Sequence, residues 1–349
     1  MSPAIRDKLK SGLAIPACPL ALDSKRQFDE RRQRALIRYY LSCGVGGLAV
    51  AVHTTQFAIR EPKHGLYEPL LQLTAEELGR SEAGAGAVRI AGVCGHTSQA
   101  LREAEQSASA GYHAVLLSLA ALGSATESML LDHSRRVSAI MPLIGFYLQS
   151  GVGGRVLSHA FWREFLEIEN VVAIKIAPFN RYRTLDVIRA VAESRRTDIA
   201  LYTGNDDNIV GDLLAQYRFS SAADSPRFRM VGGLLGHWAV WTRPAVMLHA
   251  QCQKLMNTDS PIPRALLELG QQITDANAAF FDVEHGFAGC IAGLHEILHR
   301  QGLLAGTWCL DPLETLSPGQ RGEIDRVQHA YPHLNDDEFV AAHLDEWLR

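Results

Sequence analysis

Val171-Val172-Ala173-Ile174-Lys175-Ile176 is a run of β-branched and small apolar residues interrupted by one lysine, with Asn170 before it and Ala177-Pro178 after it. The run has the length of a strand and no alternation of polar with apolar residues, so both of its faces are expected to be covered, as in a parallel sheet. An ammonium on such a strand needs a reason. Apolar surroundings disfavour the charged form, the pKa falls, and the neutral amine becomes a nucleophile toward carbonyl carbon. The plain alternative is a lysine that snorkels from the strand end to water.

Two neighbouring stretches share the pattern. Met141 to Tyr147 (MPLIGFY) is an apolar strand ending on a tyrosine, and Leu48 to Thr55 (LAVAVHTT) is one ending on two hydroxyl residues. Here the chain resembles the N-acetylneuraminate lyase and dihydrodipicolinate synthase group of class I, Schiff-base-forming aldolases. The group's GTTGE turn corresponds to HTTQF at His53 to Phe57, its tyrosine strand to PLIGFYLQ, and its lysine strand to NVVAIKIAP. The similarity runs from Gly12 to about Leu316.

The intervening chain alternates in period. Apolar strands are expected at 12–19, 47–52, 88–94, 113–118, 142–147, 171–176, 199–202 and 229–233. Helical spacing follows each of them in turn: 29–43 (stopped by Gly44) after the first, then 74–84 (with a Thr74–Glu77 capping box), 97–111, 126–140, 158–168, 184–193, 208–218 and 242–255. Eight β/α units at this length favour a closed (β/α)8 barrel over an open doubly wound sheet. No GxGxxG follows the first strand, which further weakens the dinucleotide-fold alternative. In such a barrel the strand C-termini form the reactive face. His53, Thr54, Thr55, Tyr147, Gly204, Asn205, Asp206 and Asp207 lie at or just past strand ends, and Lys175 just inside one.

Past Asn257 only helical patterns remain: 265–281, 288–301, 318–329 and 336–347, after a hinge-like Asp259-Ser260-Pro261-Ile262-Pro263. The expected division is a barrel at 1–258 and an all-helical C-terminal segment at 259–349. One rival motif sits there. His295-Glu296-Ile297-Leu298-His299 is a literal HExxH, which on a helix places two imidazoles on one face with a carboxylate able to activate a zinc-bound water. Gly302 matches the longer metzincin pattern, but Ala305 stands where its third histidine belongs. The motif also arises by chance on amphipathic helices, so the zinc metallopeptidase is a remote alternative.

Composition narrows the function classes. Of 349 residues 47% are hydrophobic and 21% charged, with a net charge of -4, ordinary for a soluble globular chain and ill-suited to nucleic acid or an anionic membrane. The first ten residues carry no apolar leader and no apolar run reaches spanning length, so a cytoplasmic protein is expected. Its six cysteines lack CxxC spacing and read as reduced thiols.

The resemblance implies a mechanism. Lys175 forms an imine with a pyruvate-type 2-oxo acid, which then reacts with or releases an aldehyde, or loses water. Tyr147 shuttles protons, the Thr54-Thr55 turn holds the substrate carboxylate, and the Gly204-Asn205-Asp206-Asp207 turn touches the polyol part of a sugar-acid substrate. Asp206 and Asp207 have a second reading as caps of the helix beside them. Gly232, near the end of the last strand, completes the expected binding set. No cofactor and no metal is needed for imine chemistry, and the family suggests a homo-oligomer, tetramer or dimer. The departures are equally specific. His53, Gln56 and Phe57 replace the first glycine and the closing Gly-Glu of the family turn. Ala177 stands where many sugar-acid lyases carry threonine, Leu117 to Ser128 holds no tyrosine for a second relay, and Val152 stands where dihydrodipicolinate synthases carry arginine. A catalytically silent member that only binds a 2-oxo acid is the second reading.

Overall fold

The computed structural model describes residues 1–222, 225–258 and 260–349. Asp259, the first residue of the expected hinge and of the expected C-terminal segment, lies outside the described residues. The strands are β1 Ala14–Pro16, β2 Gly47–Val50, β3 Val88–Val93, β4 Ala114–Leu117, β5 Leu143–Leu148, β6 Val171–Ala177, β7 Ala200–Thr203 and β8 Gly232–Leu235. They are hydrogen-bonded in parallel in the order β1-β8-β7-β6-β5-β4-β3-β2. The Ala17–Ala49 bridge, with the Cys18 N–H donating to the Ala49 carbonyl at 2.8 Å, closes the cylinder between β1 and β2. The fold is the (β/α)8 barrel that the alternation predicts.

Strand parity sorts the apolar residues into two layers. Ile144, Phe146, Ala173, Ala200 and Tyr202 fill the barrel, while Leu143, Tyr147, Ile174, Ile176 and Leu201 pack outward against the helices. Lys175 lies between the outward Ile174 and Ile176 and therefore points inward. The bottom is plugged by a helix the sequence reading did not anticipate, Pro3–Ser11. Ser2 caps it, and its Leu9 carbonyl accepts the Tyr202 hydroxyl at 2.8 Å.

Three expected elements differ. The helix expected from Thr74 to Gly84 is Tyr67–Gly79, because Leu70, Leu71, Leu73 and Leu78 form one buried stripe that begins upstream. Thr74 is buried inside it rather than capping it. Glu77 accepts from Arg34 at 3.1 Å and from Arg38 at 2.6 Å, and a separate short helix, Glu82–Gly86, is capped by Ser81. The helix expected over 208–218 is only Ile209–Leu214. β8 starts at Gly232, since Arg229 is turned outward to the side chains of Gln253 and Asn257.

Helices Arg264–Phe280, Cys290–Arg300, Gln320–Ala330 and Asp337–Trp347 follow the barrel. The Asp336 carboxylate accepts the Tyr39 hydroxyl at 2.7 Å and the Arg243 N–H at 3.1 Å, which ties the last helix to the outer ring. Among the described residues no helix is long and apolar enough to cross a membrane.

Candidate active site

Lys175 occupies the inward face near the C-terminal end of β6 and is only 8% exposed. Its Nζ has no hydrogen-bond or ion-pair partner among the described residues and lies 4.5 Å from the centroid of the Phe146 ring on β5. Gly204, just past β7, makes room for the side chain. A Cβ there would stand 2.6 Å from Lys175 Cε and 2.8 Å from Ala177 Cβ. Burial pulls the ammonium below its usual 10.5, with Asp206 partly opposing that shift.

Asp206 faces the same pocket. Its Oδ1 accepts the His237 N–H at 3.0 Å, and its carbonyl accepts from Asn277 Nδ2 at 2.7 Å. The carboxylate thus caps the short 3-10 turn His237–Ala239 after β8 rather than the helix that begins beside it. Asn277, on the first C-terminal helix, fixes its backbone. Burial pushes the Asp206 carboxyl well above the ordinary 3.8; the His237 N–H and Lys175 offset only part of the rise. His53 also lines the pocket, its imidazole lowered to about 4 first by burial and then by Lys175.

The other expected residues divide. Thr54 lines the pocket, but its hydroxyl donates to the Ala17 carbonyl at 2.7 Å. Thr55 does not line it. Its hydroxyl donates to the Cys18 carbonyl at 2.6 Å and accepts the Val52 N–H at 3.2 Å, locking the turn. Asp207 is exposed outside the pocket. Gly232 sits at the opposite end of β8, where a Cβ would stand 2.3 Å from the Leu13 carbonyl, and Gly236 borders the mouth in its stead.

Tyr147 is the main correction. It is 2% exposed, faces outward against Trp162 with ring centroids 5.3 Å apart, and its hydroxyl exchanges hydrogen bonds with the Leu157 backbone. Phe146 is the residue of β5 that faces Lys175, and no tyrosine among the described residues lines the pocket. Sequence reasoning also missed Gln149, Phe179, Phe281, Phe287 and Cys290, all of which line it. Strand parity was available as a signal for Phe146; nothing in the sequence marks the long-range phenylalanines.

The altered turn is rebuilt through the C-terminal segment. Gln56 adopts a left-handed φ of 68°, as a glycine would, and its Oε1 accepts the Leu310 N–H at 2.6 Å. The HExxH helix is not assembled as a metal site. His295 is fully buried with Nδ1 on the Trp308 carbonyl at 3.1 Å, His299 is exposed, and Glu296 is ion-paired to Arg300 at 3.0 Å and to Arg321 at 3.4 Å. Among the described residues no group of three or more His, Cys, Asp or Glu side chains is placed to hold a metal ion.

Residues 10–217 match the model of the dihydrodipicolinate synthetase family. The chain belongs to that family. No curated protein sequence matches it. Solved structures with the same fold include dihydrodipicolinate synthase from Oceanobacillus iheyensis, 17% identical, TM-score 0.71, covering 95% of this chain and 99% of the other. N-acetylneuraminate lyase from Fusobacterium nucleatum is 15% identical with TM-score 0.69, covering 92% and 99%. YagE from E. coli K12, described as a family member in complex with pyruvate, is 14% identical with TM-score 0.70, covering 92% and 98%.

Proposed function

We propose that this family member is a Schiff-base lyase or aldolase that acts on a pyruvate-type 2-oxo acid through Lys175. The observation that carries the reading is a buried amine with a lowered pKa and no protein partner, opening into a pocket at the C-terminal face of the barrel. The neutral amine adds to the C2 ketone, water leaves, and the protonated imine serves as an electron sink. A proton lost from C3 gives an enamine that adds to an aldehyde, and hydrolysis returns the amine; cleavage is the reverse. Because Tyr147 faces away, proton transfer falls to the groups that share the pocket, Asp206 and His53.

Support also comes from the lysine strand and from family membership over residues 10–217. The small-molecule partners are then a 2-oxo acid and an aldehyde, handled without a cofactor in a homo-oligomer of the cytoplasm. A second reading, a silent member that binds the oxo acid, draws on the missing phenol. Borohydride reduction with pyruvate, followed by peptide mapping, tests the first: the expected result is a reduced adduct on Lys175 and inert, folded Lys175→Ala. Labelling elsewhere, or turnover by the alanine variant, sinks the imine mechanism. Labelling without turnover on any aldehyde selects the silent reading.

A further inference from the structure

Four phenylalanine rings line the pocket above Lys175. Phe146 lies against the amine, Phe179 follows β6, and Phe281 and Phe287 arrive from the C-terminal segment. Phe179 and Phe287 meet edge to face with centroids 6.0 Å apart. Both hold a left-handed backbone, φ 49° and 73°, that bulky side chains avoid. In each case the backbone N–H donates to a buried polar residue. The Phe179 N–H donates to Asn205 Oδ1 at 3.1 Å, and Asn205 Nδ2 donates to Asp212 at 2.8 Å. The Phe287 N–H donates to the Asp282 carbonyl at 2.9 Å, while the Asp282 carboxylate accepts the Gly289 N–H at 2.9 Å and the Ser317 hydroxyl. These bonds hold both backbones in place and so fix where the two rings enter the pocket.

The polar inventory is as telling. Apart from Lys175, no lysine or arginine among the described residues lines the pocket. Val152 lies on its wall, and Arg155 is turned away onto the Leu122, Gly123 and Ala125 carbonyls at 3.2, 3.0 and 2.6 Å. Of the residues expected to hold a polyol, Asp207 is outside and the Thr54 hydroxyl donates to the Ala17 carbonyl, which leaves Gln149 and the two groups beside the amine, Asp206 and His53, as the polar side chains of the lining.

We infer that the aldehyde partner is an uncharged aromatic one, its ring held among Phe179, Phe281 and Phe287 while its carbonyl points to the enamine on Lys175. The inference rests on the imine reading above. In the condensation, C3 of the enamine forms a carbon-carbon bond to the aldehyde carbon. The aldehyde oxygen takes up a proton, and water releases a 4-aryl-4-hydroxy-2-oxobutanoate. No oxidant or reductant is involved, and the cleavage direction runs the same steps backward. Aromatic rings favour edge-to-face and offset contacts over face-to-face stacking, and an incoming aryl ring can make such contacts with these phenylalanines.

The test runs the full-length enzyme with pyruvate against three aldehydes: benzaldehyde, glyceraldehyde as a polyol, and succinic semialdehyde as an anion. Benzaldehyde is expected to have a kcat/KM at least tenfold above the others. Phe287→Leu and Phe179→Leu, which keep apolar volume but remove the ring, are expected to erase most of that preference, with pyruvate trapping measured alongside to show that the imine still forms. Preference for the polyol or the anion, or indifference to the two substitutions, with trapping intact, overturns the ring pocket and leaves the imine reading standing. A separate arm titrates benzyl alcohol into Lys175→Met by calorimetry. Saturable binding that weakens in the double variant with Phe287→Leu supports the ring pocket even if trapping fails, and no binding overturns it.

Discussion

Lys175 and Phe146 face each other across the β5–β6 register, with the amine nitrogen 4.5 Å from the ring centroid. The ring occupies the inward position of β5 and its neighbour Tyr147 the outward one, so the two aromatic residues have separable roles. Tyr147→Phe is expected to leave turnover and pyruvate trapping within twofold. It removes a hydroxyl bonded only to the Leu157 backbone, at a stability loss of about 1 kcal/mol. Phe146→Ala opens a cavity in the barrel and costs roughly 3–5 kcal/mol. It also wets the amine, which raises its pKa and slows trapping at neutral pH. Urea denaturation and trapping rates measured together check both. A hundredfold loss of turnover in Tyr147→Phe would return the phenol to the mechanism.

Lys175 ties the imine reaction to pH with a definite sign. Its folded pKa lies below 10.5, so trapping is expected to rise with pH through a midpoint below that value and to level off above the midpoint. Asp206 supports the charged form, and Asp206→Asn removes the support and moves the midpoint lower still. Stability follows the same linkage. Between the folded pKa and 10.5 the unfolded chain binds more protons than the folded one, so the protein gains stability as pH rises through that window. At neutral pH Lys175→Met escapes the burial penalty and is expected to be more stable by about 1 kcal/mol or more. Its advantage shrinks as pH approaches 10.5. Melting curves across pH 6 to 10.5 decide it; a methionine variant less stable at every pH would contradict the burial of a strained charge.

The barrel was legible because its information is periodic: apolar strands that do not alternate, helical spacing between them, and chemistry at the strand ends. What one sequence carries poorly is which face a residue takes. PLIGFYLQ offers two adjacent aromatic residues, and the resemblance points to Tyr147 while Phe146 is the one that faces the lysine. Pairing in β5 and β6 shifts between Leu143 and Ile144, which sets Phe146 opposite the lysine. The same limit applies to Thr54 and Thr55, whose residue type suits a ligand and equally suits the backbone carbonyls that claim their hydroxyls. The contributions of Asn277, Phe281 and Phe287 depend on how the C-terminal helices return to the mouth, over separations no local pattern encodes.

The His295-Glu296-x-x-His299 segment is expected to behave as packing. The His295 imidazole is lowered to about 4 by burial, and Glu296 is held in ion pairs with Arg300 and Arg321. Chelators should leave both activity and melting temperature unchanged. Glu296→Gln should lower stability by about 1–3 kcal/mol, since one buried charge partner is lost, while kcat stays near that of the parent. Stoichiometric zinc that is lost along with activity in His295→Ala would bring the peptidase reading back.

Dihydrodipicolinate synthesis is expected not to be the reaction of this chain. Condensing pyruvate with aspartate semialdehyde requires a second carboxylate to be held at the barrel mouth, a task suited to a guanidinium whose planar fork meets a carboxylate with two parallel hydrogen bonds. The loop after β5 offers none. Val152 lines the pocket where the cation would stand, and the Arg155 guanidinium lies on three backbone carbonyls between Leu122 and Ala125. Those contacts hold the loop after β4, so Arg155→Ala is expected to reduce stability more than it alters substrate preference. Replacing a carboxylate-binding cation by an apolar group removes a few kcal/mol of transition-state binding, a loss on the order of a hundredfold in kcat/KM. Val152→Arg should recover part of it for anionic aldehydes at the expense of uncharged ones. A coupled assay with pyruvate and aspartate semialdehyde decides the matter, because efficient turnover by the parent protein would mean that another cation reaches the mouth during the reaction.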